Sequence, residues 1–394
     1  MTLPDTVSEY VYIALVLTLL IVPKVLQRFR IPAPLSAFAF GIGAGLWVEG
    51  LHGDPTLSLL STLGISSLFL FAGLDIEMDA FHRGRWPLLG HLALRATALA
   101  AAAWAGTAWL GLSWQSACLL GLALLTPSTG FILDTLAEQG LDEGERFWVA
   151  AKAVAGEILA LAVLFVVVQS GSVADLALSS LALFAMLAAL PFLFVLFGRY
   201  VLPHAAGSEF SLLVLVGLIA ATVTKQLGVY YLVGAFLAGL VARLLRERMP
   251  RLASDENLRA VRLFASFFVP FYFFHAGSGI PREALAWQSL ALGLALSAVM
   301  LPLRIGVQWL HRRIAFREDA ASSLRVSITL APTLIFTLVL AGMLHERYGI
   351  PDTWYGALLV YACVSTALPS LLRGRTVDFD PAHGSAQRPA AAPD

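Results

Sequence analysis

Charged side chains are scarce in this chain of 394 residues. Asp, Glu, Lys and Arg make up 13% of it, whereas a soluble domain carries about 25%. Hydrophobic residues make up 58%, and the mean hydropathy is +0.79. A fold in water with this balance would have no polar coat, so the soluble, fibrous and disordered classes are excluded. We therefore expect a polytopic membrane protein.

Other features that would indicate chemistry are also missing. The two cysteines, Cys118 and Cys363, lie in apolar runs and indicate neither a disulfide nor a metal framework. Basic and acidic residues are equal at 26 each, so no basic excess favours nucleic acid. The sequence has no His-Glu-x-x-His, nucleophile elbow or glycine-rich phosphate loop. We expect no enzyme activity, no cofactor and no nucleic-acid partner.

Long apolar segments, in contrast, fill most of the chain. About 20 apolar residues are needed to cross a bilayer, and thirteen segments are read as spans. They cover residues 8–27, 34–51, 56–75, 86–111, 114–137, 146–170, 175–197, 209–225, 227–245, 260–279, 284–310, 318–344 and 353–372. The remaining tail, residues 373–394, is rich in Ala and Pro and is predicted to be disordered.

The basic residues are distributed unevenly between the two sides of these spans. With the N-terminus outside, 19 of the 26 Lys and Arg residues fall in inner loops or the tail, 3 in outer loops and 4 within spans. Inner loops of membrane proteins carry such an excess of Lys and Arg. The pattern predicts an outer N-terminus and a cytoplasmic C-terminus in a bacterial inner membrane.

The chain also contains an internal repeat. Three short segments in spans 2, 3 and 5 recur in spans 9, 10 and 12. The pairs are Ser36–Gly41 with Gly234–Gly239, Ala72–Ile76 with Ala276–Ile280, and Thr126–Phe131 with Ala331–Phe336, at offsets of 198, 204 and 205 residues. Since partners lie seven spans apart, the halves have opposite orientation, as in many secondary transporters. We predict repeat one at about 8–170, a linker helix at about 175–197 and repeat two at about 209–372.

Spans 5 and 12 each contain a proline near the middle, Pro127 and Pro332. Proline removes a backbone donor, and a broken helix within a membrane is tolerated where it is buried or lines a cavity. An ordinary kink would explain either proline alone, but matched positions favour two broken helices that cross near a binding site. The hydroxyl or carbonyl oxygens that could then face a cation belong to Thr126, Ser128, Thr129 and Thr333.

Glu157 is the one carboxylate predicted well inside a span. It lies eleven residues after Arg146, or about 16 Å into a hydrocarbon core of about 30 Å. An ionisable group at this depth indicates a functional site. A carboxylate there can hold a proton or a small cation, but not both at once. The alternative is a structural carboxylate that is permanently paired with Arg or Lys.

Several other charged residues lie within or near spans, and four of them are possible accessory residues of the site: Asp134, Arg95, Lys152 and Arg325. Arg304 in span 11 is the predicted partner of Glu157 or a compensating charge for the broken helices, unless it extends to the interface. Lys152 and Arg325 are shallower, so extension to the interface is the simpler interpretation. Arg95 is deep but has no evident partner, and Asp134 near the inner end of span 5 is either a cation-attracting residue or a surface charge.

These features together resemble a known family, the bacterial cation:proton antiporters, in the branch of sodium/proton antiporters and glutathione-gated potassium efflux transporters. The resemblance covers about residues 10–372. It is carried by Phe69–Asp75, by Thr126–Gly130 running into Leu136–Gly140, by Gly234–Leu240 and by Phe268–Gly277.

The resemblance implies an all-α fold of thirteen helices, with a dimerisation domain beside a mobile core domain, homodimers and elevator-type alternating access. It implies that Glu157 binds the ion and that Arg304 is the basic residue of span 11. The chain departs from the family where Gly156 precedes the acid and where 334–337 lacks a Gly-Glu-Phe motif, and it has no nucleotide-binding tail. A single acid with a basic partner goes with electroneutral exchange in that family.

The sequence thus predicts an antiporter that exchanges Na⁺ or K⁺ for protons, with Glu157 as the transient ion ligand. A sodium- or proton-coupled symporter of an organic anion on the same fold is the alternative, favoured by Arg95 and Arg304. A membrane enzyme or sensor is the least favoured alternative, because no catalytic motif supports it.

Overall fold

The computed structural model describes residues 5–29, 31–48, 50–76, 85–205, 207–228, 231–246, 248–250, 252 and 254–373. These residues form helices joined by short turns. The α-helices are, in chain order, α1 (Asp5–Gln27), α2 (Ala33–Trp47), α3 (Pro55–Leu74), α4 (Arg85–Leu110), α5 (Trp114–Leu125), α6 (Thr129–Thr135), α7 (Glu143–Gln169), α8 (Val173–Tyr200), α9 (Glu209–Gln226), α10 (Tyr231–Leu244), α11 (Asp255–Ser278), α12 (Trp287–Ala315), α13 (Ala320–Thr329), α14 (Leu334–Tyr348) and α15 (Asp352–Arg373). The tail predicted to be disordered lies outside the described residues from 374 onward.

The helices correspond to the predicted spans. Among the described residues, ten segments are long and apolar enough to cross a membrane, and the pair α13–α14, bent by 46°, makes an eleventh. The shorter apolar helices α2 and α10 occupy the second and ninth predicted spans. Each of the thirteen predicted spans therefore contains one helix or one broken helix, and the protein is all-α and multi-pass.

The helix that carries Glu157 has a well-defined beginning. Asp142 and Glu145 form a capping box at the start of α7: the Asp142 carboxylate accepts from the backbone N–H of Glu145 at 2.7 Å, and the Glu145 carboxylate accepts from that of Asp142 at 3.1 Å. Such reciprocal bonds satisfy backbone donors that the first turn leaves without partners. Glu157 is thereby fixed as residue 15 of a helix of 27 residues.

The helices form two bundles. Helices α1–α3 pack with α9–α11, and helices α4–α7 pack with α12–α15, while α8 contacts helices of both groups. The bundles meet where α3 contacts the short helix α6. This meeting point matters because α6 begins at one of the two helix breaks.

Glycines allow helices α2 and α11 to pack with their backbones in contact. A Cβ atom on Gly41 would lie 2.0 Å from the carbonyl oxygen of Phe274, and one on Gly277 would lie 2.3 Å from that of Phe38. Both distances are far shorter than a van der Waals contact, so neither position tolerates a side chain without separation of the helices.

The same contact occurs a second time, between α3 and α10. A Cβ atom on Gly73 would lie 2.3 Å from the carbonyl oxygen of Phe236, and one on Gly239 would lie 2.2 Å from that of Leu70. The repeat offset of 198 residues pairs Gly41 with Gly239, and the offset of 204 residues pairs Gly73 with Gly277. The two contacts are therefore equivalent, as an inverted repeat requires.

Candidate functional site

The two breaks in the helices cross each other. The first separates α5 from α6 at residues 126–128, and the second separates α13 from α14 at residues 330–333. The backbone N–H of Ser128 donates to the carbonyl oxygen of Pro332 at 2.8 Å, and the Ser128 hydroxyl oxygen accepts from the backbone N–H of Ile335 at 2.9 Å. Ser128 therefore joins one break to the other.

The carbonyl oxygens at the end of α5 have partners from three other helices. The carbonyl at residue 123 accepts from the Thr337 hydroxyl at 2.7 Å, and the one at residue 124 accepts from the Tyr361 hydroxyl at 2.7 Å. The carbonyl at residue 125 accepts from the Arg95 guanidinium at 3.3 Å. The last carbonyl oxygens of a helix have no donor within the helix, and leaving them buried without one costs free energy. These three side chains thus stabilise the first break.

Arg304 has the equivalent role at the second break. Its guanidinium donates to the carbonyl oxygens of Ala331 at 3.0 Å and Leu330 at 3.4 Å, and to the Tyr361 hydroxyl at 2.8 Å. Arg95 on α4 and Arg304 on α12 therefore each bind the carboxyl-terminal end of a half-helix, where the helix dipole is negative and favours a cation. Tyr361 connects the two breaks, since it accepts from Arg304 and donates to the end of α5.

Glu157 lies beside this crossing and is 1% exposed. Glu157 lines a small cavity, too narrow for a water molecule, together with Ser128 of the first break and Thr129 at the start of α6. The rest of that cavity is formed by Leu68, Phe69, Ala72, Gly130, Ile335 and Phe336. The Oε2 atom of Glu157 and the Thr129 hydroxyl are buried without a hydrogen-bond partner in the described structure. The Thr129 hydroxyl is nevertheless close enough to interact with the Glu157 carboxylate, so the two oxygen atoms are neighbours that could face one cation.

Glu157 and Arg304 do not form an ion pair within the described residues, because Arg304 is directed to the carbonyls of the second break. A second buried acid, Glu145, is paired: it accepts from the Arg325 Nε at 3.1 Å and from the Ser322 hydroxyl at 2.6 Å. Arg325, considered a possible accessory residue, therefore joins α13 to α7.

The predicted oxygen set is brought together only in part. Ser128, Thr129 and Glu157 share the small cavity. Thr126 lines a different, larger cavity. The Thr333 hydroxyl lies 2.9 Å from that of Ser365 on α15, with which it forms a hydrogen bond.

The remaining accessory candidates have different surroundings. Lys152 does not extend to an interface as expected, because it is fully buried, with its Nζ 5.0 Å from the centroid of the Phe316 ring. Arg95 does have partners, which are the Leu125 carbonyl and His91, whose Nε2 lies 3.1 Å from the Arg95 Nε. The side chain of Asp134 lies outside the described part of the structure.

Three residues of this region were not predicted from the sequence: Tyr361 and Thr337, which support the first break, and Ser365, which bonds to Thr333. Each is a fully buried polar residue within an otherwise apolar span. This polarity was the available signal, because a buried hydroxyl within a membrane helix requires a partner. Which carbonyl would be the partner depends on helix packing that no local pattern reveals.

Comparison with known proteins agrees with this architecture. The sequence profile of the sodium/hydrogen exchanger transmembrane family matches residues 13–375. The fold is similar to that of the sodium proton antiporter MjNhaP1 from Methanocaldococcus jannaschii, with a TM-score of 0.63 and 16% identity over 92% of this chain and 94% of that chain. A search of curated protein sequences finds no match. The chain belongs to the sodium/hydrogen exchanger family, a family of cation/proton antiporters and not of enzymes.

Proposed function

We propose that the protein exchanges Na⁺ or K⁺ for protons at Glu157. The observation that carries the proposal is that Glu157 is a buried acid with an unpartnered oxygen atom on a cavity at the crossing of two broken helices. A carboxylate in this position is expensive to leave charged and empty. It is stabilised either by taking a proton or by binding a cation, and this competition couples the two fluxes.

In the cation-bound state, Glu157 supplies the charge, and oxygen atoms of Thr129 and Ser128 complete part of the shell. The Ser128 hydroxyl oxygen already accepts from Ile335, so Thr129 is the more available ligand. Thr126 and Thr333 would reach the ion only after a rearrangement, since they face a second cavity and Ser365, respectively. Arg95 and Arg304 hold the breaks in place, and Arg304 provides a compensating positive charge.

A single carboxylate favours an electroneutral cycle. One bound cation replaces one proton, and both carry one positive charge. The absence of an ion pair between Glu157 and Arg304 among the described residues leaves the carboxylate available for this exchange. The proposed stoichiometry is therefore one cation for one proton.

The two bundles support an elevator mechanism. The bundle of α4–α7 and α12–α15 holds Glu157 and both breaks, and we assign it as the moving core domain. The bundle of α1–α3 and α9–α11 would be the dimerisation domain of a homodimer, with α8 as the linker helix between the repeats. Movement of the core along α3 would expose the Glu157 cavity to one side and then the other.

Transport in proteoliposomes tests these assignments. A preformed pH gradient should collapse on addition of Na⁺ or K⁺, and a scan of Li⁺, Na⁺, K⁺ and Rb⁺ identifies the substrate. An electroneutral exchanger should give the same rate when the membrane potential is clamped at different values. A rate that follows the potential would contradict the one-to-one stoichiometry, and sodium-driven uptake of an organic anion without any pH change would favour the symporter alternative.

A further inference from the structure

A second, larger cavity lies between α4 and α12 and also touches α7 at Gly156, the residue before Glu157. Its volume is about 450 Å³, and it shares no lining residue with the small cavity of Glu157. Its wall is almost entirely apolar and includes Leu94, Ala98, Ala101 and Trp109 from α4 and Met300 and Leu303 from α12. Pockets that hold small organic ligands have volumes of about 300–1,000 Å³, so this cavity has room for such a molecule.

Among the described residues, two cations and no acid line this cavity. Arg95 and Arg304 are the charged residues of its wall, and they are close enough for their charges to repel each other. Each uses part of its guanidinium for the backbone carbonyls of a break. Within the described structure the Nη2 of Arg95 and the Nε of Arg304 make no hydrogen bond beside those of the other guanidinium nitrogens. Arg304 is buried and Arg95 is partly buried, and cations with unused donors in an apolar wall are stabilised by an anion.

The dimensions restrict the shape of that anion. Trp109 lies fourteen residues after Arg95 on the same helix, a distance of about 21 Å at 1.5 Å per residue. The cavity is therefore a long apolar channel that begins at two arginines. A ligand with a small anionic head and an unbranched apolar body is complementary to it.

The depth of the arginines identifies the class of amphiphile. Within the predicted spans 86–111 and 284–310, Arg95 lies nine residues and Arg304 six residues from the inner end, or about 14 Å and 9 Å deep at 1.5 Å per residue. Both therefore lie below the interface, inside a hydrocarbon core of about 30 Å. A phospholipid head group stays at the interface and would not reach this depth, whereas a single-chain carboxylic acid crosses the bilayer in its neutral form.

We propose that the cavity between α4 and α12 binds the anion of a long-chain fatty acid, with its carboxylate between Arg95 and Arg304 and its chain along α4 toward Trp109. Because these arginines also hold both helix breaks, occupancy of the cavity should alter the exchange rate. The site itself is independent of the proposed cation exchange, since its ligand does not touch Glu157.

Photolabelling of the full-length protein in lipid nanodiscs tests the proposal without a transport assay. The probe is palmitic acid with a diazirine in its chain, and labelled peptides are located by mass spectrometry. We expect saturable labelling of α4 and α12 that unlabelled oleate displaces. The fatty alcohol of the same length should label at least about tenfold more weakly, because a hydrogen bond to a charged group contributes about 1.5–3 kcal/mol and each 1.4 kcal/mol is tenfold in affinity.

Two neighbouring alanines provide a matched pair of variants that leaves both arginines in place. Ala101 lines the cavity and Ala100 does not, while both are exposed on α4. Ala101→Phe should fill the channel and abolish saturable labelling, whereas Ala100→Phe should retain it. Four results would each overturn the proposal. The first two are equal labelling by the acid and the alcohol, and equal loss of labelling in both variants. The other two are labelling that oleate does not displace, and equally strong labelling by a diazirine phosphatidylglycerol.

Discussion

The backbone N–H of Ser128 donates a hydrogen bond of 2.8 Å to the carbonyl oxygen of Pro332. These residues belong to different halves of the chain and lie at the two helix breaks. The bond fixes the breaks against each other at the point where the two repeats meet. The position of the Glu157 cavity follows from this crossing, because two of its polar groups come from the first break.

Loss of the Ser128 hydroxyl should destabilise the crossing. In Ser128→Ala the backbone N–H of Ile335 loses its acceptor, and a buried donor without a partner costs about 1–3 kcal/mol. Ser67→Ala is a suitable control, since that buried hydroxyl bonds only to carbonyls of its own helix α3. Thermal unfolding in detergent should show a lower midpoint for the Ser128 variant than for the control. Equal midpoints would mean that the bond does not support the crossing.

The glycine contact between α2 and α11 gives a second prediction. Gly41→Ala places a Cβ atom against the carbonyl oxygen of Phe274, so we expect a loss of about 1–3 kcal/mol from overpacking. Gly43 lies on the same helix with open space around it. Gly43→Ala should therefore be neutral or stabilising by up to about 1 kcal/mol, because alanine is the better helix former.

The same measurement on the other half of the repeat tests the equivalence of the two contacts. Gly239→Ala meets the carbonyl oxygen of Leu70 as closely as Gly41→Ala meets that of Phe274. The two variants should lower the unfolding midpoint by similar amounts. A large loss at one position with none at the other would contradict the equivalence.

Acid should weaken the beginning of α13. The Asp319 carboxylate caps this helix and accepts from the backbone N–H groups of Ala321 at 2.9 Å and Ser322 at 3.0 Å. The N–H of Ser322 in particular lowers the pKa of Asp319. Because the folded pKa is below the unfolded pKa, the stabilisation is fully present above the unfolded value and is lost as the pH falls through the folded value.

Asp319→Ala should therefore lower the unfolding midpoint at neutral pH, and the difference from the unmodified protein should shrink in acid. Asp319→Ser keeps a capping oxygen atom without a titrating group, so the difference in midpoint between Asp319→Ser and Asp319→Ala should not depend on pH in this range. A loss in Asp319→Ala that is constant down to strongly acidic pH would show that the carboxylate charge does not contribute.

The sequence predicted the architecture well because the relevant signals are local. Apolar length identifies each span, and Pro127 and Pro332 mark the breaks. The internal repeat paired Gly41 with Gly239, and the structure shows that these positions make equivalent contacts. Such features can be recognised from the composition and spacing of one segment, or from a comparison of two segments.

The partners of the charged residues could not be predicted in the same way. Depth along a span suggested that Lys152 extends to an interface, but Phe316 lies beside its ammonium group in the folded chain. Similarly, no partner of Arg95 was predicted from the sequence: His91, one turn earlier on α4, was overlooked, and the second acceptor is a backbone carbonyl at residue 125 on another helix. Backbone acceptors have no sequence signature, so such bonds appear only when the packing of helices is known.

The role of Glu157 is the central claim. Glu157→Gln preserves the shape of the side chain and removes its charge, so the protein should fold and still lose the competition between proton and cation. Glu143→Gln is the matched control, as Glu143 is an exposed acid at the beginning of the same helix.

The most direct measurement is the cation-evoked pH change in proteoliposomes that contain the Glu157→Gln protein. We expect no exchange above that of empty liposomes, with normal exchange in Glu143→Gln. Unimpaired exchange in Glu157→Gln would contradict the account, because the coupling of cation to proton would then reside in another group.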